Sequence, residues 1–244
     1  MHRLLVPSAE LASDSPVLPQ EAANHLKVLR PKDGEEIELF DGCGRWRRFS
    51  VEGGGRACRL VALSPACTAL RPACDLTLFG CVTKGSRWDW TIEKTTELGV
   101  TRIVPVVSSR TIVRIAPGER EAKRARWTRI AEDAARQSDA KWIPEIHEPV
   151  SFAESLPLVR ETTCFVGALT NPPPPQIAAV ISSSLVPHPS SLSVYVGPEG
   201  DFSPEELAAL LEIATPVSFG STILRAETAA IYGMSVLKSF LDCR

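Results

Sequence analysis

Leu192-Ser193-Val194-Tyr195-Val196-Gly197-Pro198-Glu199-Gly200-Asp201-Phe202-Ser203-Pro204-Glu205-Glu206 decides the fold. Leu192 to Gly197 is an apolar run of strand length. The glycines that follow permit unusual dihedrals and close approach of backbone to a ligand. Ser203, Pro204 and Glu206 then fit the N-cap, first and third positions of a helix. A strand, a glycine loop and a helix start in this order predict one βα unit. Ligands of open α/β sheets bind outside the carboxyl ends of the strands, which is where this loop lies. A tight turn with no ligand has the same local pattern.

The same alternation extends outward. Strands are predicted over Leu76–Val82, Thr101–Val107, Thr163–Leu169 and Pro216–Phe219. Helices are predicted over Arg87–Leu98, closed by Gly99, and over Glu119–Gln137, Pro175–Ser183, Pro204–Ile213 and Ala226–Leu241. In the last of these, Ala230, Met234, Leu237 and Leu241 recur at helical spacing. Strands alternating with helices imply a mainly parallel α/β sheet covered on both faces. Residues 1–70 read differently. Glu36 to Phe40 alternates, Asp41-Gly42 is a hairpin signal, Arg45–Val51 returns to Gly53-Gly54-Gly55, and a third strand runs from Arg56 to Leu63. That is a small β domain, joined by a proline-containing linker over 64–72 to an α/β domain at 75–244.

Composition narrows the functional classes. The 244 residues carry a formal charge of −2, so any contact with nucleic acid must come from local clusters. Between Arg110 and Lys141 there are nine Lys or Arg against five Asp or Glu. Arg45, Arg47 and Arg48 interleave with Trp46 and Phe49. Either cluster suits phosphate, or a plain solvated face. Seven cysteines without a C-x-x-C pair, and four scattered histidines, predict reduced thiols and no metal site. No apolar run is long enough to span a bilayer and no secretory signal is evident, so a cytoplasmic protein is expected. Neither G-x-G-x-x-G after a strand nor G-x-x-x-x-G-K-[ST] occurs, which removes the usual nucleotide loops. Two further segments could carry chemistry: Thr83-Lys84-Gly85 with Glu93–Val100, and Phe219–Ala229, which sets Arg225 and Glu227 at a strand-to-helix junction. A structural ion pair or an ordinary helix start would look alike.

In combination these segments resemble the RsmE family, methyltransferases acting on N3 of a uridine in bacterial small-subunit (16S) ribosomal RNA. The resemblance is carried by Asn24-His25-Leu26 with Val28-Leu29-Arg30, Phe40-Asp41-Gly42, Lys84-Gly85, Glu93-Lys94 and Glu97-Leu98-Gly99-Val100. It continues through Ala134-Ala135 with Gln137-Ser138, Gly197-Pro198-Glu199-Gly200, and Ile223 to Ala229. It implies a PUA-like β-barrel for RNA and a C-terminal SPOUT domain threaded as a deep trefoil knot, an exception to unknotted chains. It also implies a homodimer, S-adenosylmethionine as cofactor, and ribosomal RNA or the assembled 30S subunit as partner. Carried over by position, the cofactor would meet Leu169, then Val196, Gly197, Pro198 and Gly200, then Phe219, Gly220, Ile223 and Leu224. RNA would meet Arg30, Arg45, Arg47, Arg48, Lys84, Arg136 and Gln137. Catalysis would rest on Arg225, with Glu227 orienting it or helping with the proton, Glu199 a weaker candidate, and Arg3 contacting substrate. The chain departs from the family pattern at Asp201, where a glycine is usual, at Asp139-Ala140, where Gly-Arg is usual, and at Thr222, commonly basic. The rival readings are a related knotted methyltransferase on another RNA and a non-catalytic ribosome-assembly factor.

Overall fold

The computed structural model describes residues 1–53, 58–184 and 189–243, and divides into two compact units. Gly54, Gly55 and the start of the strand expected from Arg56 lie outside the described residues.

The first unit comprises Met1–Arg71 with Glu132–Ile143. Its strands are β1 (His2–Leu5), β2 (Glu36–Phe40), β3 (Arg45–Glu52), β4 (Arg59–Ala62) and β5 (Cys67–Thr68), with helix α1 (Gln20–Leu29) between β1 and β2. β1 runs parallel to β2; β2–β3 and β3–β4 are antiparallel, and β5 pairs with the start of β3. The predicted hairpin forms at Asp41-Gly42. Asp41 Oδ1 accepts from the Cys43 and Arg45 amides at 2.8 and 3.0 Å, and Gly42 and Gly44 take the positive φ that the turn requires. Leu4, Leu26, Ile37, Leu39, Phe49 and Val51 form the core. Three elements were not anticipated. β1 and α1 lie in segments to which the sequence reading assigned no element, and β5 occupies the expected linker.

Two arginines expected to touch substrate or RNA are instead internal ties. Arg3 is 6% exposed. Its Nε donates to Glu38 Oε1 at 2.8 Å, Nη1 to the Ala135 carbonyl at 2.6 Å, and Nη2 to the Ala140 carbonyl at 2.9 Å. Arg47, also buried, donates from Nε to the Ser64 carbonyl at 2.6 Å and from Nη2 to Asp14 Oδ1 at 2.6 Å, with Nη1 shared between the Leu11 and Ser13 carbonyls. Four of the five N–H donors of each guanidinium are spent inside the fold, and burial keeps the group from a phosphate or a base. Both expectations are corrected on that ground.

The second unit comprises Pro72–Ala131 and Pro144–Arg244. Its strands are β6 (Asp75–Cys81), β7 (Arg102–Val107), β8 (Glu145–Ile146), β9 (Val150–Ser151), β10 (Thr163–Gly167), β11 (Ser191–Val196) and β12 (Thr215–Val217). They form one sheet, in the order β12-β10-β11-β6-β7-β8 with β9 also on β7, and every pairing is parallel. Its helices are α2 (Ser86–Glu97), α3 (Arg120–Gln137, whose last residues cluster with the first unit), α4 (Phe152–Arg160), α5 (Ile177–Ser184), α6 (Pro204–Leu211) and α7 (Ala226–Asp242).

Period-two alternation sorts the central strands onto two cores. Phe79 and Tyr195 stack at 5.5 Å on one face, joined by Phe202, Val104 and Val166. On the other, Gly80 makes room for the Trp88 ring of α2, since a Cβ there would lie 2.8 Å from it. α4 was not anticipated because Pro157 stands inside it. A capping box between Ser151 and Glu154 starts the helix despite it.

Replacing Arg3 with methionine removes its bonds to the Ala135, Arg136 and Ala140 carbonyls and leaves Glu38, 1% exposed, with Lys141 Nζ at 2.5 Å as its partner. The expected loss is about 3 kcal/mol, the lower end for breaking a buried pair because Lys141 remains. It would be read as a drop in the urea midpoint at constant slope; a change within about 0.5 kcal/mol, the range of ordinary surface substitutions, would show that the network contributes nothing.

Candidate active site at the carboxyl edge of the sheet

Strands β12, β10 and β11 are neighbours and parallel, so the loops that leave them open on one edge of the sheet. Backbone bonds tie two of these loops together. The Ala168 amide donates to the Val217 carbonyl at 3.1 Å, the Ser218 amide to the Pro175 carbonyl at 2.9 Å, and Gln176 bridges to Ser218. The side chain of Phe219 sits between glycines. A Cβ on Gly167 would come within 2.4 Å of its ring, and one on Gly233 of α7 within 3.2 Å. Phe219, expected at the cofactor, thus turns its ring into the packing and leaves its backbone at the loop.

The loop after β11 is closed on itself. The Asp201 amide donates to the Pro198 carbonyl at 3.0 Å, and Asp201 takes a φ of 58°. That is the conformation for which glycine is favoured. Asp201 holds it with its own side chain, Oδ1 accepting from the Phe202 amide at 2.8 Å. Asp139, the other acidic departure, likewise has a positive φ, 61°, and pairs with Lys141 Nζ at 2.8 Å. Both positions therefore combine a backbone conformation suited to glycine with a carboxylate. α6 follows through the predicted capping box: Ser203 accepts from the Glu206 amide, and Glu206 accepts from the Ser203 amide at 3.0 Å. Glu206 also takes the Ser109 amide at 2.8 Å, and Arg110 Nη1 donates to the Gly200 carbonyl at 3.0 Å. The segment after β7 thus braces the glycine loop. Sequence reading had not assigned that role to Arg110.

The third loop leads to α7. Gly220 has a φ of 124°, and a Cβ there would meet nothing within 4 Å. It borders open space rather than packed protein. Leu169 is 64% and Ile223 81% exposed, large apolar side chains standing uncovered on two of the three loops. Val196 and Pro198 are buried, Gly197 and Leu224 half-buried, and Gly200 exposed. Backbone amides and carbonyls beside an open glycine, flanked by uncovered aliphatic side chains, suit a ligand with a flat apolar part and polar edges.

Charged groups gather where α2 and α7 begin. Arg225 is the N-cap residue of α7 and is exposed; among the described residues its side chain makes no ion pair. Glu227, in the first turn, is 7% exposed, and its Oε2 has no hydrogen-bond partner. Arg87, at the start of α2, lies with Nη1 3.4 Å from Glu199 Oε1 and Nε 3.9 Å from Glu227 Oε1. Arg87 was not singled out in the sequence, where it looks like any helix-surface charge. The same end of α2 holds the unpartnered buried atoms Thr83 Oγ1 and Trp88 Nε1, while Lys84 is exposed. Burial pushes the thiols of Cys81 and Cys164 up to about 12, so neither is a nucleophile at neutral pH. Among the described residues no His, Cys, Asp or Glu cluster could hold a metal ion.

In the first unit, Arg30 is exposed in the left-handed conformation after α1, and Arg48 is exposed with its guanidinium 5.8 Å from the Trp46 ring, which Lys141 also approaches at 4.7 Å. Arg45 is half-buried and Gln137 exposed. The Arg136 side chain, 15% exposed, pairs with Asp133 at 2.9 Å.

An RNA methyltransferase domain family matches residues 70–238, and an RNA methyltransferase PUA domain family matches residues 18–61. A Synechocystis protein named ribosomal RNA small subunit methyltransferase E is 29% identical, over 99% of this chain and 78% of its own length. A Mycobacterium bovis protein of the same name is 30% identical, over 89% of this chain and 83% of its own. Among solved structures, a ribosomal RNA small subunit methyltransferase E from Neisseria gonorrhoeae bound to S-adenosyl methionine superposes with a TM-score of 0.83, at 27% identity and 98% coverage of both chains. Two domain matches in the order of the two folded units, together with these relatives along nearly the whole length, mean that the chain belongs to the ribosomal RNA small subunit methyltransferase E family, the RsmE family of RNA methyltransferases.

Proposed function

We propose that this protein is an S-adenosylmethionine-dependent methyltransferase that modifies N3 of a uridine in small-subunit ribosomal RNA. The observation that carries the reading is the meeting of three strand-end loops, one bordered by the open Gly220, beside a helix start bearing Arg225 and Glu227. The bound cofactor supplies a methyl carbon on a positively charged sulfur. The loops at Leu169, Gly197–Gly200 and Phe219–Leu224 would hold it through backbone and aliphatic contacts, which fits their uncovered apolar side chains.

The remaining work falls to the protein. Uracil N3 carries a proton and is a poor nucleophile until that proton leaves. Charge then develops on the uracil oxygens, and a cation fixed beside them lowers the barrier. Arg225 has the planar fork for this and no competing ion pair among the described residues. Glu227 has a free carboxylate oxygen with which to receive a proton. Residues 75–244 would form the catalytic SPOUT domain, and residues 1–70 the RNA-binding PUA-like barrel, with Arg30, Arg45, Arg48 and Lys84 as phosphate contacts. The trefoil knot is supported by the bonding of β12 and Ser218 to the 168–176 segment before α7 returns to pack on β6 and β11. Trp90 of α2 and Tyr232 of α7, 44% and 37% exposed, support a homodimer through those packed helices. The protein would work in the cytoplasm, on free ribosomal RNA or the 30S subunit.

Nucleoside mass spectrometry of small-subunit RNA treated with the protein and cofactor should reveal 3-methyluridine; no new methylated uridine in either free RNA or assembled subunits would refute the assignment. Arg225→Ala should lower turnover by about 10²–10³, equivalent to about 3–4 kcal/mol, with cofactor affinity nearly kept, and Arg225→Lys should recover part of it. Gly220→Val puts a β-branched residue at a φ of 124° and a side chain into the open space. Calorimetry should then show cofactor binding abolished in a protein that still melts cooperatively. Unchanged affinity would remove this loop from the pocket.

A further inference from the structure

Glu227 is the second residue of α7, where the helix dipole favours a carboxylate, yet its side chain is 8% exposed. A buried carboxylate needs a cation and donors to its lone pairs. Among the described residues Arg87 is the cation within 4 Å, and Oε2 has no donor at all. Arg87 itself is loosely committed. Its contacts, 3.4 Å to Glu199 and 3.9 Å to Glu227, are longer than the about 2.7–2.9 Å of a tight charge-assisted bond, and its side chain is 47% exposed.

A carboxylate kept buried with one oxygen unfilled is a site for an N–H or O–H brought by a ligand. On the proposed function, on which this inference rests, the uracil N3–H is such a donor. We infer that Arg87 is a positioning residue for the reaction: it compensates and aims the Glu227 carboxylate so that Oε2 accepts the N3 proton. As N3 bonds to the methyl carbon, the proton moves to Oε2, the methyl–sulfur pair stays on sulfur, and Glu227 later returns the proton to water. Glu199, on the glycine loop, shares Arg87 with Glu227 and so ties this loop to the start of α7.

The test is a double-mutant cycle in the full chain with Arg87→Gln, Glu227→Gln and both together, alongside Arg87→Lys. Turnover and KM on small-subunit RNA, calorimetric affinity for S-adenosylmethionine and thermal melts are measured for each. Each single glutamine variant should lower kcat on the order of 10²-fold, the size of a lost general base, with KM and cofactor affinity little changed. The double variant should lose no more than the single ones, because both changes disable one device. Arg87→Lys should restore roughly a tenth of the activity or better, since the charge returns without the fork.

Multiplying losses in the double variant would overturn the inference, and so would a fall in cofactor affinity that matches the fall in activity of Arg87→Gln, which would make Arg87 a strut of the cofactor loop. Should Glu227→Gln fail to fold, the comparison of Arg87→Gln with Arg87→Lys decides alone: a kcat loss at unchanged cofactor affinity with rescue by lysine supports it, and an absence of either refutes it. An unsubstituted protein that methylates no uridine overturns the proposed function and this inference with it, whereas an active parent with an unaffected Arg87→Gln overturns the inference alone.

Discussion

The packing of Phe219 is the constraint on which the site depends. Its ring fits where Gly167 and Gly233 both lack a Cβ, with Tyr232 edge-on at 6.0 Å. One side chain thereby pins the end of β10, the loop after β12 and the middle of α7 to each other. The parallel strands and the backbone bonds of Ala168 and Ser218 already bring the loops after β10 and β12 to one edge. The Phe219 ring adds the link from that edge to α7, the helix that carries Arg225 and Glu227 at its start. Interiors this closely packed tolerate little change in volume, so a methyl group at Gly167 would be felt at the far end of the loop.

Much of this was legible because strands buried on both faces, as β6 and β11 are, have few alternatives. Leu76 to Val82 and Leu192 to Gly197 read as strands from their composition, and Ser203 to Glu206 as a helix start from capping chemistry alone. The elements that escaped were those where local chemistry contradicts the tertiary outcome. Pro157 argues against helix and is accommodated inside α4. Cys67 and Thr68 pair with Arg45 and Trp46 in a segment that reads as linker.

The site was legible in part for the same reason. Glycines in strand-end loops announce themselves, and so did Arg225 and Glu227 at a helix start. Arginines did not sort themselves into inside and outside. Arg47 could have been sorted, since alternation puts it on the face of Phe49 and Val51, both fully buried. Arg3 could not, because its partner Glu38 lies in register only once β1 is known to run parallel to β2. Arg87 was invisible for a third reason. Its significance comes from Glu199 and Glu227, distant in sequence, and no local pattern records that meeting.

The claim on which the account turns is that the cofactor lies at the carboxyl edge of β10, β11 and β12. A crystal structure of the protein grown with S-adenosylmethionine tests it most directly. The account predicts the ligand seated among residues 168–176, 197–200 and 219–225, with Leu169 and Ile223 covered and the methyl group turned toward Arg225 and Glu227. Density for the ligand elsewhere on the chain, or a methyl group facing away from α7, would contradict it.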